Sequence, residues 1–73
     1  MISHIPDNYE QWHHCITVAC GQALTLGYID ARTDALNNSR DYTTQKFVEL
    51  YGERQRLKTL QWFKQAKMSL QNS

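Results

Sequence analysis

The apolar residues in the C-terminal half of this chain change phase at Gly52. Before it they are Phe47, Val48, Leu50 and Tyr51, and after it they are Leu57, Leu60, Phe63, Ala66 and Leu70. At about 100° per residue each set fills one arc of a helix, and in a single straight helix the two arcs would point about 170° apart. The helix therefore either ends at Gly52 or continues and is covered by different partners on its two faces. Both alternatives describe a packing scaffold rather than a catalytic site.

The periodicity of the whole chain predicts an all-α fold. Apolar residues recur at helical spacing in four segments, at about 8–20, 26–37, 43–51 and 53–70. No segment shows sustained alternation of apolar and polar residues, so no β-sheet is expected. We predict a small bundle of three to four helices, formed by residues 1–73 as a single helical domain.

The first helix has a capping signal and one apolar stripe. Asp7 followed by Glu10 resembles a capping box, with Asp in place of the usual Ser or Thr. The residues expected to face the core are Tyr9, Trp12, Ile16 and Ala19. His14 and Val18 lie off this stripe, and we expect them to be exposed.

The second helix has a start signal and a stop signal. Thr25 is the expected N-cap, because its hydroxyl can accept a hydrogen bond from a free N–H of the first turn. Asn37-Asn38-Ser39 is expected to end the helix, because these side chains compete for backbone hydrogen bonds. Between them, Ile29 and Leu36 lie on the predicted core stripe.

Size and hydropathy limit the class of protein. With 73 residues, the chain buries only about 60–65% of its unfolded surface, so oligomerisation would be a natural supplement to its stability. No apolar run approaches the roughly 20 residues that span a bilayer, and the N-terminal segment lacks the basic and apolar regions of a signal peptide. We therefore expect a cytoplasmic protein with no membrane partner.

The residues His13-His14-Cys15, together with Cys20, raise the question of a metal site. Helical ligands share a face at spacings of three or four residues, and no two of these residues have that spacing. His13 and Cys20 do share a face, but they lie about 10 Å apart along the axis, too far for one zinc ion. His4 could join only through tertiary folding. We expect no metal and no cofactor.

The same residues supply the types needed for nucleophilic catalysis. Cys15 could serve as a nucleophile and a neighbouring histidine as its base. Adjacent residues on a helix diverge by about 100°, however, so these side chains cannot hydrogen-bond to each other. The sequence also contains no Gly-rich phosphate loop, no nucleophile elbow and no H-E-x-x-H motif. We expect no catalytic activity.

Positive charge is concentrated near the C-terminus. Residues 1–51 contain six acids and three bases, whereas residues 52–73 contain one acid and five bases. Arg54, Lys58, Gln61 and Gln65 form a polar stripe that could track phosphates or enter a major groove. A nucleic-acid-binding regulator that uses residues 53–67 is therefore an alternative function. The sequence pI of 7.8 favours an ordinary solvated face instead, because nucleic-acid-binding domains usually exceed about 9.

Protein interaction is the function that the pattern favours. If Phe63 points into the core, Trp62 should lie about 100° away, near the margin of the core. A large aromatic residue at such a margin is often an anchor for a partner. We expect Trp62 and Leu60 to lie in the interface of a homodimer, or of a complex with another protein. The predicted function is a small interaction module of regulatory or adaptor type.

The spacing argument generates a prediction about metal content. Purified protein should contain substoichiometric zinc, and a chelator should leave Tm unchanged, because no metal contributes to folding. Elemental analysis and thermal melts with and without chelator check this. Stoichiometric zinc whose removal lowers Tm would show that His4, His13 and a cysteine converge in the folded chain.

Overall fold

The computed structural model of the chain describes residues 5–72, and within this range it contains helices and no strand. The helices are α1 (Tyr9–His14), continued by a π segment (Cys15–Ala19), then α2 (Leu26–Asn37), α3 (Tyr42–Tyr51) and α4 (Glu53–Asn72). The predicted all-α fold is confirmed, and the predicted helix bounds agree to within two residues. No helix among the described residues is both long enough and apolar enough to cross a membrane.

Helix α1 begins one residue later than the capping signal predicts. Asn8, not Asp7, is the N-cap, and its side-chain oxygen accepts a hydrogen bond from the Gln11 N–H at 2.9 Å. The Gln11 side chain reaches back and accepts from the Asp7 N–H at 2.9 Å. The two bonds resemble a capping box, but they use amide side chains, and the second one reaches the N–H of Asp7 instead of that of the N-cap Asn8.

The π segment changes which residues of the first helix face the core. The Cys20 N–H donates to the Cys15 carbonyl at 3.0 Å, across five residues instead of four. This wider turn breaks the regular spacing of the stripe. Ala19 is therefore exposed, and its predicted burial is wrong. Val18, 64% exposed, lies outside as predicted, and so does His14.

Helix α2 is anchored at both ends by side chains. The Thr25 hydroxyl accepts from the Tyr28 N–H at 3.1 Å, which confirms the predicted cap. At the other end, Arg56 Nη1 donates to the Leu36 carbonyl at 2.7 Å, and the Thr44 hydroxyl donates to the Ala35 carbonyl. The last turn of α2 is thereby fixed to both α3 and α4. The Leu36 carbonyl gains a partner at the helix end, and the Ala35 carbonyl accepts a second bond besides that from the Asn38 N–H.

Gly52 separates α3 from α4. Its backbone has φ 93° and ψ 161°, in a region that residues with a side chain rarely adopt. Its N–H donates to the Val48 carbonyl at 2.8 Å, so the α3 hydrogen-bond ladder closes before the chain turns. Of the two alternatives for the phase change, the structure has the broken helix, and α3 packs against α4.

One cluster of apolar side chains forms the core. Its buried residues are Trp12, Ile29, Leu36, Trp62, Phe63 and Ala66. The Trp12 ring meets the Phe63 ring edge-on, with centroids 4.8 Å apart and an interplanar angle of 83°. This is a favoured arrangement for aromatic rings, because the positive edge of one faces the negative face of the other. Tyr9 and Ile16, both predicted core residues, pack against the cluster and are partly buried.

Truncation of Trp12 tests this core. Trp12 is 4% exposed, so Trp12→Ala should lower the free energy of unfolding by about 3–5 kcal/mol, through lost burial and the cavity left behind. Val18→Ala in the same helical stretch should change it by less than about 0.5 kcal/mol, because Val18 is exposed. Denaturant unfolding measures both. A Trp12→Ala melt close to wild type would contradict the assignment.

Candidate functional site

The predicted apolar arc of α4 is divided between the core and the surface. Phe63 and Ala66 are buried, whereas Leu57 is 52% exposed and Leu60 is partly buried. Leu57 lies about 120° from Phe63 around the helix, so it cannot reach the core that Phe63 enters. Leu70 lies on the core side of the helix but beyond Ala66, the last buried residue, and it is 42% exposed. The outer face of α4 therefore retains apolar surface near its N-terminal half.

That surface forms a shallow groove, which we call the α4 groove. Its lining consists of Arg54, Leu57, Lys58, Leu60, Gln61 and Lys64. Residues at spacings of three and four bring these side chains onto one side of the helix. The leucines supply an apolar floor, and the polar residues flank it.

Residues that the sequence assigned to two different functions converge in the α4 groove. Leu60 was expected in a protein interface, and Arg54, Lys58 and Gln61 in a nucleic-acid interface. Gln65 is exposed but does not line the groove. Lys64 was missed, although its position three residues after Gln61 places it on the same face and could have revealed it.

Trp62 lies elsewhere, and its predicted position at the margin of the core is wrong. It is 8% exposed, and its ring centroid lies 6.1 Å from that of Trp12. The reason is that α4 buries a wider arc than the sequence pattern indicated, one that includes Thr59 as well as Trp62 and Phe63. Trp62 packs inside this chain and presents almost no surface to a partner.

The bases of the α4 groove carry uncompensated positive charge. Within residues 5–72, Arg54, Lys58 and Lys64 form no ion pair and no side-chain hydrogen bond. Lys67, outside the groove, pairs with Asp30 of α2 at 2.9 Å. No acid lines the groove. The site therefore combines exposed leucine with three unpaired cations.

Glu53, the acid nearest the groove in sequence, is hydrogen-bonded to Arg56. Arg56 Nε donates to Glu53 Oε1 at 2.7 Å, and a second guanidinium nitrogen donates to the other carboxylate oxygen. This hydrogen-bonded pair lowers the pKa of Glu53 and raises the pKa of Arg56. Since Arg56 also binds the Leu36 carbonyl, the pair belongs to the packing of α2 on α4 and does not neutralise the groove.

The cysteines and histidines do not assemble into a larger site in the described part of the chain. Cys15 is partly buried and Cys20 is exposed, and both are free thiols. Among residues 5–72 there is no group of three or more His, Cys, Asp or Glu side chains arranged to hold a metal ion. His4, the residue that could join by tertiary folding, lies outside the described residues.

Comparison with known proteins gives no relative. No protein-family model, no curated protein and no solved structure matches this chain. A functional conclusion therefore depends on the groove, the cavities and the charges of the molecule itself.

The Glu53–Arg56 pair generates a titration prediction. Arg56→Gln should raise the pKa of Glu53 toward that of an ordinary glutamate, because the pair is what lowers it. The stability that the pair contributes is present above the unfolded-state pKa of Glu53 and is lost as pH falls through the lowered, folded-state pKa. The variant should therefore show less of this loss in acid.

NMR titration of the Glu53 carboxyl carbon measures the shift. Lys46→Gln is the matched control, because it breaks the exposed Lys46–Glu49 pair, which has the same three-residue spacing. It should leave the pKa of Glu53 unchanged. Equal effects of the two variants would mean that net charge, rather than the bond to Arg56, sets the pKa.

Proposed function

We propose that this chain is a small protein-interaction module, of regulatory or adaptor type, that docks on a partner protein through the α4 groove. The observation that carries the proposal is Leu57, 52% exposed between cations that have no acidic partner in the described chain. Apolar surface gains free energy when a partner covers it, and uncompensated charge selects which partner does so.

The partner that fits this groove is an amphipathic helix with acidic flanks. Leu57 and Leu60 lie three residues apart and form the apolar floor of the α4 groove, which an apolar stripe on a second helix can pack against. Arg54, Lys58 and Lys64 would then lie beside the flanks of that stripe. Glutamate or aspartate at those positions complements their charge, which increases the association rate and disfavours basic partners.

A second copy of this chain fits the groove less well. In a symmetric dimer the same surface meets itself, so Arg54, Lys58 and Lys64 would approach their own counterparts. Like charges across an interface are unfavourable. A helix continuous through Gly52 would also have needed a partner on each of its two faces. The helix breaks at Gly52, and α3 packs against α4 within one chain, so that need does not arise.

Nucleic acid is the second candidate, because the three bases and Gln61 lie on one face of α4. Phosphate contacts need cations but leave the exposed leucine without an apolar partner. The groove also holds only three bases, a sparse field compared with the basic faces typical of nucleic-acid-binding domains. These points favour a protein partner.

We include a cytoplasmic location in the proposal. The support is that Cys15 and Cys20 are unpaired thiols, the state that a reducing compartment maintains. A partner would therefore be sought among cytoplasmic proteins that carry an exposed acidic amphipathic helix.

Binding of a designed peptide tests the proposal. The probe is a fluorescent helical peptide with leucines at helical spacing and glutamates on both flanks, and its control carries glutamines in place of the glutamates. Wild type should bind the acidic peptide saturably, and Leu57→Asp should weaken binding about tenfold or more, because it places an acid on the apolar floor. Leu50→Asp, at a leucine of α3 that is 69% exposed and outside the groove, should leave binding unchanged.

The same measurements distinguish the other possible partners of the α4 groove. Equal affinity for the acidic and glutamine peptides, or equal loss in the two aspartate variants, would overturn the proposal. Tighter binding to a random DNA duplex, with a steep fall as salt rises, would establish the nucleic-acid alternative. Sedimentation of wild type as a dimer that Leu57→Asp or Leu60→Asp dissociates would show that a second copy occupies the groove.

A further inference from the structure

A cavity of about 250 Å³ lies on the other side of α4, between that helix, the π segment, α2 and α3. Its walls are mainly aromatic and aliphatic, and they include Trp12, Ile16, Tyr28, Phe47 and Phe63. From α4 it uses Gln55, Thr59 and Phe63, none of which lines the α4 groove. The cavity is therefore a separate feature, independent of the proposed docking surface.

Arg32 is the one charged side chain among the described residues that line this cavity. It is partly buried, and within residues 5–72 it forms no ion pair and no side-chain hydrogen bond. Hydrogen bonds from the Thr43 hydroxyl and the Thr44 N–H lower the pKa of Asp41, and the charge of Arg32 adds a smaller effect. Asp41 is therefore already bound to other groups. The guanidinium donors are thus unused by the described chain, next to an apolar space.

Two other polar side chains of the wall, Gln55 and Thr59, already have hydrogen-bond partners. The Gln55 side-chain amide donates to the Pro6 carbonyl at 3.1 Å, and the Thr59 hydroxyl donates to the Gln55 carbonyl at 2.8 Å. A ligand that entered the cavity would find Arg32 as its charged anchor. An arginine in this position selects an anion, and its planar fork matches the two oxygens of a carboxylate.

The π segment is an independent observation at the same place. Cys15 and Ile16 belong to it, and both line the cavity. π turns are rare and are frequently found at functional sites. Here the π segment begins three residues after Trp12, at the point where the helix borders the cavity.

We propose that this cavity binds a small apolar carboxylate, with its ring or short alkyl chain among the aromatic side chains and its carboxylate on Arg32. The size is suitable, because an apolar cavity of about 150 Å³ accommodates benzene, and about 250 Å³ leaves room for a ring with a short substituent. Burial of the ring contributes affinity, and the ion pair contributes selectivity for the anion.

Calorimetric titration with phenylacetate, and with its neutral analogue phenylacetamide, tests the charge requirement. Wild type should bind phenylacetate saturably and about tenfold or more tightly than phenylacetamide, because only the acid pairs with the guanidinium. Arg32→Gln should abolish this difference, and its circular dichroism should match wild type because the Arg32 side chain forms no hydrogen bond or ion pair with the described chain. Arg40→Gln, at an exposed arginine outside the cavity, should behave as wild type.

Thiol alkylation locates the ligand within the molecule. Saturating phenylacetate should slow alkylation of Cys15, which lines the cavity, and leave Cys20, which is exposed and does not line it, unchanged. Peptide mass spectrometry reads both thiols in one sample. Leu57→Asp should retain phenylacetate binding, so failure at the α4 groove and failure here are distinguishable.

Several results would overturn the proposal. These are no saturable binding of either compound, equal binding of the acid and the amide, an unchanged preference in Arg32→Gln, or equal protection of the two cysteines. The last result would place the ligand on the surface instead of in the cavity.

Discussion

The contact of Trp12 with α4 is the interaction on which the rest of this structure depends. Helix α1 is only six residues long, and an isolated helix of that length is unstable in water. The Trp12 ring packs against the rings of Trp62 and Phe63, and the Gln55–Pro6 hydrogen bond fixes the chain just before α1 to the same helix. The first segment is therefore ordered by its packing on α4. The same packing closes one side of the aromatic cavity and buries the tryptophan that would otherwise be an exposed anchor.

The turn at Gly52 gives α4 two faces with different roles. Because the helix breaks there, α3 folds against α4, and Arg56 links α4 to the end of α2. The inner face then supplies the core and one wall of the cavity. The outer face keeps two leucines among unpaired bases, because nothing in the described chain covers it. The proposed partner site and the proposed ligand site thus lie on opposite sides of one 20-residue helix.

This arrangement makes each proposal depend on different chemistry. The α4 groove is open and cationic, which suits an extended partner surface with acidic flanks. The cavity is smaller, mostly apolar and supplied with a single guanidinium, which suits a small anion with an apolar body. A ligand in the cavity would contact Phe63 and Thr59, and their sequence neighbours Lys58, Leu60 and Lys64 line the groove.

The sequence by itself determined the helices, because capping residues and helical spacing act locally. Thr25 caps α2 and the Trp12 stripe faces the core, each for a reason visible within a few neighbouring residues. At Gly52 the sequence left two alternatives open, a broken helix or a continuous one, and the structure has the break. Tertiary structure alone decided which of two adjacent arcs of α4 is buried, because Trp62 and Leu57 are both plausible margin residues until Trp12 covers one of them. The tertiary structure also forms the cavity, because it brings Cys15, Arg32 and Phe47 together from different helical segments. No local pattern encodes that meeting, since it depends on how the helices pack rather than on where each one begins and ends.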